Sequence, residues 1–190
     1  MAVKKTILYF PSPGEANTDE TLAAARERAQ ELGIRDIVIA STRGGIGAKA
    51  AEVFKGYNVV VVTHSTGLRA PGQQALTPEN DSKIRAAGAH ILTATHAFSG
   101  VNAAIQKKFD TMYPAGIIAQ TLRLLGQGMK VVVEITAMAA DAGMIPHDKD
   151  IIAIAGSSRG ADTAVVAKPA TTGNLFDLVI KEIIAKPSNT

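Results

Sequence analysis

Cysteine is absent from all 190 residues. Disulfides, thiolate metal sites and cysteine nucleophiles are thereby excluded, and the composition suits a reducing, cytoplasmic compartment. Aromatic residues are scarce, at 4% of the chain, and tryptophan is missing. There are few rings on which bases could stack, and 20 basic residues are offset by 17 acidic ones with no basic block. Nucleic acid is therefore not an expected partner. Long apolar runs are lacking too. The N-terminal run after Lys4 and Lys5 stops at Pro11, short of the ~7–15 apolar residues of a signal peptide. No stretch approaches the ~20 apolar residues of a membrane span, so no membrane partner is expected.

What is present suits one globular unit. Apolar residues make up 46% of the chain, and the length fits a single domain over residues 1–190 that buries roughly 70% of its unfolded surface. The pattern alternates strand and helix. Thr6–Phe10, Asp36–Ala40, Asn58–Thr63, Ala89–Thr95, Asp150–Ala155 and Thr163–Ala167 read as strands. Asn58–Thr63 (NVVVVT) has the β-branched run of a strand buried on both faces. Helices are predicted over Asn17–Leu32, Gly45–Phe54, from Pro78 after the cap Thr77, over Val101–Phe109 and over Pro114–Leu125. Met129–Ala142 contains the strand-like VVVEIT. However, Val131, Ile135, Met138 and Ala142 share a helical face, and Gly143 and Pro146 make a stop, so a helix is expected. Leu175–Ala185 reads as a closing helix. The expected fold is an α/β/α sandwich around a mostly parallel sheet, with a hairpin placing one antiparallel strand at an edge.

In open α/β sheets, ligands bind outside the carboxyl ends of the strands. Here those ends are polar and small: Ser41-Thr42-Arg43-Gly44-Gly45, Thr63-His64-Ser65-Thr66-Gly67, Thr95-His96-Ala97-Phe98-Ser99-Gly100, and Gly156-Ser157-Ser158-Arg159-Gly160-Ala161-Asp162-Thr163. Hydroxyls donate to phosphate oxygens, glycines let amides approach, and a following helix N-terminus adds partial positive charge. Arg43 or Arg159 could clasp a phosphate with two parallel bonds. Any one such loop is ordinary turn chemistry, but four at one sheet edge point to a phosphorylated small molecule.

Gly45-Ile-Gly47-Ala-Lys-Ala50 matches the dinucleotide fingerprint G-x-G-x-x-A. The acidic ribose-binding residue is missing, because the next strand ends in Thr63-His64. A Walker A loop and the G-x-S-x-G elbow are absent as well. His64 and His96 end two strands and could share one cleft, bonding a ligand or moving protons. No carboxylate has the spacing for a metal site. Glu134, inside an apolar run, needs a partner, which could be ligand or backbone. Asp162 either anchors Arg159 or faces the ligand.

Several of these segments resemble one family. Ile37–Gly45, Asn58–Thr63, Asp150–Gly156 and Thr163–Ala167 look like the C-terminal α/β domain of pyruvate kinase. Asn17–Leu22, Glu134–Gly143 and Ser158–Val166 extend the resemblance to free-standing archaeal proteins of that family. In the kinase this domain is an allosteric module, and the loop matching Ser41–Gly45 binds phosphates of a sugar-bisphosphate effector. The catalytic barrel takes ~250 residues, so the resemblance implies homology of one domain and no pyruvate kinase activity. The extra strand Thr6–Phe10 has no counterpart there.

Family members have been seen with flavin mononucleotide (FMN), which the resemblance therefore implies as cofactor, with a flavin-dependent oxidoreductase as one reading. Its phosphate would need Ser41–Gly47 or Ser157–Thr163. Its ring would need an apolar slot, which Met138, Phe98 and the small residues near Gly100 could form. The alternatives are a non-catalytic sensor of a sugar phosphate and a phosphate-chemistry enzyme using His64 or His96. A homo-oligomer is expected from the family and from the apolar helix near Met129–Met144.

Overall fold

The segments rich in Val and Ile assemble into one seven-stranded sheet. In the computed structural model, which describes residues 2–189, the strands are β1 (Leu8–Phe10), β2 (Asp36–Ala40), β3 (Asn58–Thr63), β4 (His90–Thr93), β5 (Ile151–Ala155), β6 (Thr163–Lys168) and β7 (Val179–Pro187). The helices are α1 (Thr18–Leu32), α2 (Gly45–Val53), α3 (Pro78–Ala86), α4 (Val101–Phe109), α5 (Pro114–Arg123) and α6 (Gln127–Asp141). Their ends follow local chemistry. Gly33 closes α1 in the left-handed conformation, and the Thr77 side chain caps α3 by accepting from the Asn80 amide.

The strand order is β1-β7-β6-β5-β2-β3-β4. β5, β2, β3 and β4 run parallel, and β6 runs antiparallel to both its neighbours. Alternate side chains therefore serve two cores. Ile37, Ile39, Val59, Val61, Ile152 and Ile154 pack under α1, α2 and α3. Val38, Val60, Val62, Ile151 and Ala153 pack under α5 and α6. This is the α/β/α sandwich expected from the strand–helix alternation. Among the described residues, no helix is long and apolar enough to cross a membrane.

One element differs from the sequence reading. Leu175–Ala185 is not a closing helix. A short 3-10 segment, Thr172–Asp177, leads into β7, which pairs antiparallel with β6 and parallel with β1. The segment Val179-Ile-Lys-Glu-Ile-Ile-Ala185 balances helix formers against β-branched residues. Two-sided strand pairing decides the outcome, since tertiary partners override weak intrinsic preference. With β7 and β1 added outside it, the antiparallel β6 lies within the sheet, third from that margin.

Candidate functional site

The chain runs outward from β2 to β3 and β4, then returns to β5 on the other side of β2. Ligands bind at such reversals, in the crevice beyond the carboxyl ends of the diverging strands. A cleft of about 950 Å³ opens there. It draws on the loops after β2, β3, β4 and β5 and on the inner faces of α5 and α6.

The β2–α2 loop forms one end. Ser41 extends β2, its amide donating to the Val62 carbonyl, and its hydroxyl oxygen accepts from the Gly47 amide at 3.0 Å. That bond caps one donor of α2, and among the described residues the amides of Gly45 and Ile46, which also line the cleft, have no backbone partner. Gly44 makes the turn possible. Its φ is +89°, and a Cβ there would sit 2.5 Å from Leu76 Cδ1 and 2.6 Å from Asn80 Cβ. The Asn80 side chain in turn donates to the Arg43 carbonyl at 2.8 Å, and Arg43 lines the cleft.

Two imidazoles line the middle. His64 and His96 lie edge to face with ring centres 5.0 Å apart. His64 Nε2 is 3.2 Å from Thr42 Oγ1, while its Nδ1 is buried without a partner. Burial, followed by the nearby His96 and Arg69, lowers the His64 pKa below the usual imidazole value. Burial also lowers that of His96, against the opposing pull of Glu134. Both rings are accordingly neutral at neutral pH.

Glu134 lies below them on α6. It is 3% exposed and forms an ion pair with Lys130, itself 8% exposed, one helical turn earlier. Its other oxygen accepts from the Phe98 amide at 3.0 Å. The Phe98 carbonyl accepts from the Tyr113 hydroxyl at 3.2 Å, and the Lys130 ammonium lies 5.6 Å from the Phe98 ring centre. The β4–α4 loop is thus tied to α6 through Phe98.

The far end is the β5–β6 loop. Asp162 is fully buried and accepts from the amides of Gly14 and Ser157, both at 3.1 Å, and from the Thr163 hydroxyl at 2.8 Å. It anchors the loop backbone and forms no ion pair with Arg159. Gly160, with φ +83°, lets the loop pass against the turn that leads into α1, since a Cβ there would lie 2.4 Å from Glu15 Cα and 2.6 Å from Thr18 Oγ1. Ser158 holds φ +139°, an uncommon conformation for a residue with a side chain.

Of the residues singled out in sequence, Ser41, Thr42, Arg43, Gly45, Thr63, His64, His96, Ser99, Glu134, Ser158, Arg159 and Gly160 all line this one cleft. Gly44, Ser157, Asp162 and Thr163 lie behind its wall and shape the loops. Gly100 starts α4, and Ser65, Thr66 and Gly67 form the turn after β3, outside the lining. Met138 packs in the core under the sheet, outside the cleft lining, and the apolar residues that line the cleft with Phe98 include Tyr113, Val131 and Ile135.

Lys130, Arg69 and Arg123, which no motif in the sequence marks, also line the cleft. Lys130 had a signal, its spacing of four residues from a buried glutamate. Five cationic residues thus line the cleft with two carboxylates, Glu15 and Glu134, the second of them paired with Lys130. Arg43, Arg69 and Arg159 form no ion pair among the described residues.

A family model described as "Pyruvate kinase, alpha/beta domain" matches residues 19–167, more than three quarters of the chain. Among solved structures, a pyruvate kinase from Cryptosporidium parvum is similar over 80% of this chain, with 12% sequence identity and a TM-score of 0.42. The chain spans 22% of that protein's length.

Proposed function

This chain belongs to the pyruvate kinase α/β-domain family, and from that premise we propose that its cleft binds a phosphorylated small molecule, FMN in particular. One observation carries the reading: Arg43, Arg69 and Arg159, which form no ion pair among the described residues, line a single cleft at the sheet's topological switch point together with Gly45 and Ile46 of the first turn of α2. Arginine forks and N-terminal amides are the groups that recognise a phosphate dianion. The cleft also falls within the ~300–1,000 Å³ of small-molecule sites.

The residues fit both ends of the nucleotide. Arg43, the Ser41 hydroxyl proton and the amides of Gly45 and Ile46 would hold the phosphate. Phe98, Tyr113, Val131 and Ile135 supply an apolar wall for the ring, and His64 and His96 supply polar groups for its edge. When bound, FMN supplies one- and two-electron redox chemistry. The chain's own part is to bind, orient and shield it.

The test is the near-UV and visible absorption spectrum of the purified protein, with mass analysis of what heat releases. Yellow protein that releases FMN supports the proposal. A Ser41→Asp/Thr42→Asp variant should lose the flavin, because two added negative charges repel the phosphate. Colourless protein that takes up no added FMN sinks the flavin reading. Saturable binding of a sugar phosphate by such protein would leave the phosphate cleft standing.

A further inference from the structure

Among the described residues, helix α4 is the one α-helix with no buried residue. Its apolar residues nonetheless form a stripe: Val101, Ile105 and Phe109 follow one another at intervals of four and are 76%, 39% and 69% exposed. Met112, just beyond the end of α4, is 72% exposed, and Ile117, Leu124 and Leu125 expose a second apolar surface on and just beyond α5. Residues 101–125 thus hold seven of the thirteen large apolar side chains exposed on the described chain. Helix α5 is anchored from its other side, where Ala119 is buried and Ile118 and Leu122 pack towards α6.

A nine-residue helix is shorter than the ~12–15 residues that hold a helix in water without tertiary support. Among the described residues the chain buries none of α4, so it gives the helix little of that support. Seven large side chains at these exposures present on the order of 700 Å² of surface. A stable interface takes ~800 Å² from each partner. The amount is that of one side of a dimer.

We propose that a second copy of this chain covers the surface, with α4 of each copy laid on the outer face of α5 of the other. Two apolar stripes on one chain, neither covered within it, satisfy each other reciprocally in a twofold arrangement, where residue i meets j and j meets i. The interface differs from the one expected in sequence. The apolar helix near Met129 is α6, and it is spent on the protein's own core. Because Gln106 and Met112 also line the cleft, the second copy adds an outer wall to the ligand site. The dimer does not depend on which ligand the site takes.

Sedimentation equilibrium of the intact chain at micromolar to sub-millimolar concentration tests this. The expected mass is about 40 kDa, twice the 19.8 kDa of one chain. Phe109→Glu and Leu124→Glu should each give monomer with an unchanged β-sheet signal in circular dichroism, since neither residue is buried. The chain has no cysteine, so a mixture of Phe109→Cys and Leu124→Cys chains should oxidise to the mixed disulfide in preference to either homodimer. A monomeric wild type overturns the proposal, as does a dimer that both glutamate variants leave intact. A monomer whose α4 resists proteolysis only when FMN is added also overturns it, and assigns the stripe to the ligand.

Discussion

Removing Glu134 should destabilise this protein far more than removing both members of its ion pair. The Glu134→Leu variant leaves the Lys130 ammonium, 8% exposed, without its carboxylate. Breaking a buried pair from one side costs ~3–5 kcal/mol. Lys130 borders the cleft, where water reaches, so the lower end, about 3 kcal/mol, applies. The Phe98 amide loses its acceptor as well, adding about 1 kcal/mol. The total of about 4 kcal/mol corresponds to a fall in Tm of roughly 8–16 °C for a domain of this size.

Lys130→Met alone strands the carboxylate, which keeps one amide donor, and should cost about 3 kcal/mol. The double variant buries no charge and should cost only about 2 kcal/mol, far below the sum of the singles. Urea unfolding followed by circular dichroism gives all three values. Single variants within about 0.5 kcal/mol of wild type, or a double variant equal to their sum, would refute the reasoning, because either means that the two charges do not depend on each other.

Acidification should weaken the fold through the two histidines. Unfolded imidazoles bind protons near pH 6.5, whereas burial makes His64 and His96 bind them only at lower pH. The unfolded chain therefore holds more protons in that window, and stability is complete above about pH 6.5 and declines as the pH falls through the folded values. Urea midpoints between about pH 7.5 and 5.5 should show this decline, and a His64→Gln/His96→Gln variant should show less of it. Gly44→Ala forces a Cβ into Leu76 and Asn80 at a positive φ. It should cost about 2 kcal/mol in the same assay and lower phosphate affinity by displacing Arg43.

Much of the architecture was legible in the sequence because local and tertiary preferences agree. Asn58–Thr63 is β-branched and buried on both faces, and its boundaries in the structure are those read from sequence. In α6 the helical spacing of Val131, Ile135 and Met138 outweighed the strand propensity of the VVV run, and a helix formed. The closing strand β7 was not legible. Its Lys, Glu and Ala residues permit a helix, and its true partners, β6 and β1, lie more than ten and more than 160 residues away along the chain.

The site followed the same division. Loop residues at strand ends could be placed at one edge from the strand–helix alternation alone, and most of those singled out line one cleft. Lys130 and Arg123 are brought there by helices that cross beneath the edge, and Arg69 by a long turn. Met138 lies one turn further along α6 from Glu134, and that turn carries it into the core. A helical face read without its tilt does not show where the cleft ends.

The central claim is that this cleft recognises phosphate. It is tested most directly by titrating the protein with FMN and with riboflavin, which carries the same ring without the phosphate, while following flavin fluorescence. FMN should bind much more tightly than riboflavin, and the difference should vanish in the Ser41→Asp/Thr42→Asp variant. Equal affinity for the two flavins, or a preference for FMN that survives those substitutions, would contradict the account.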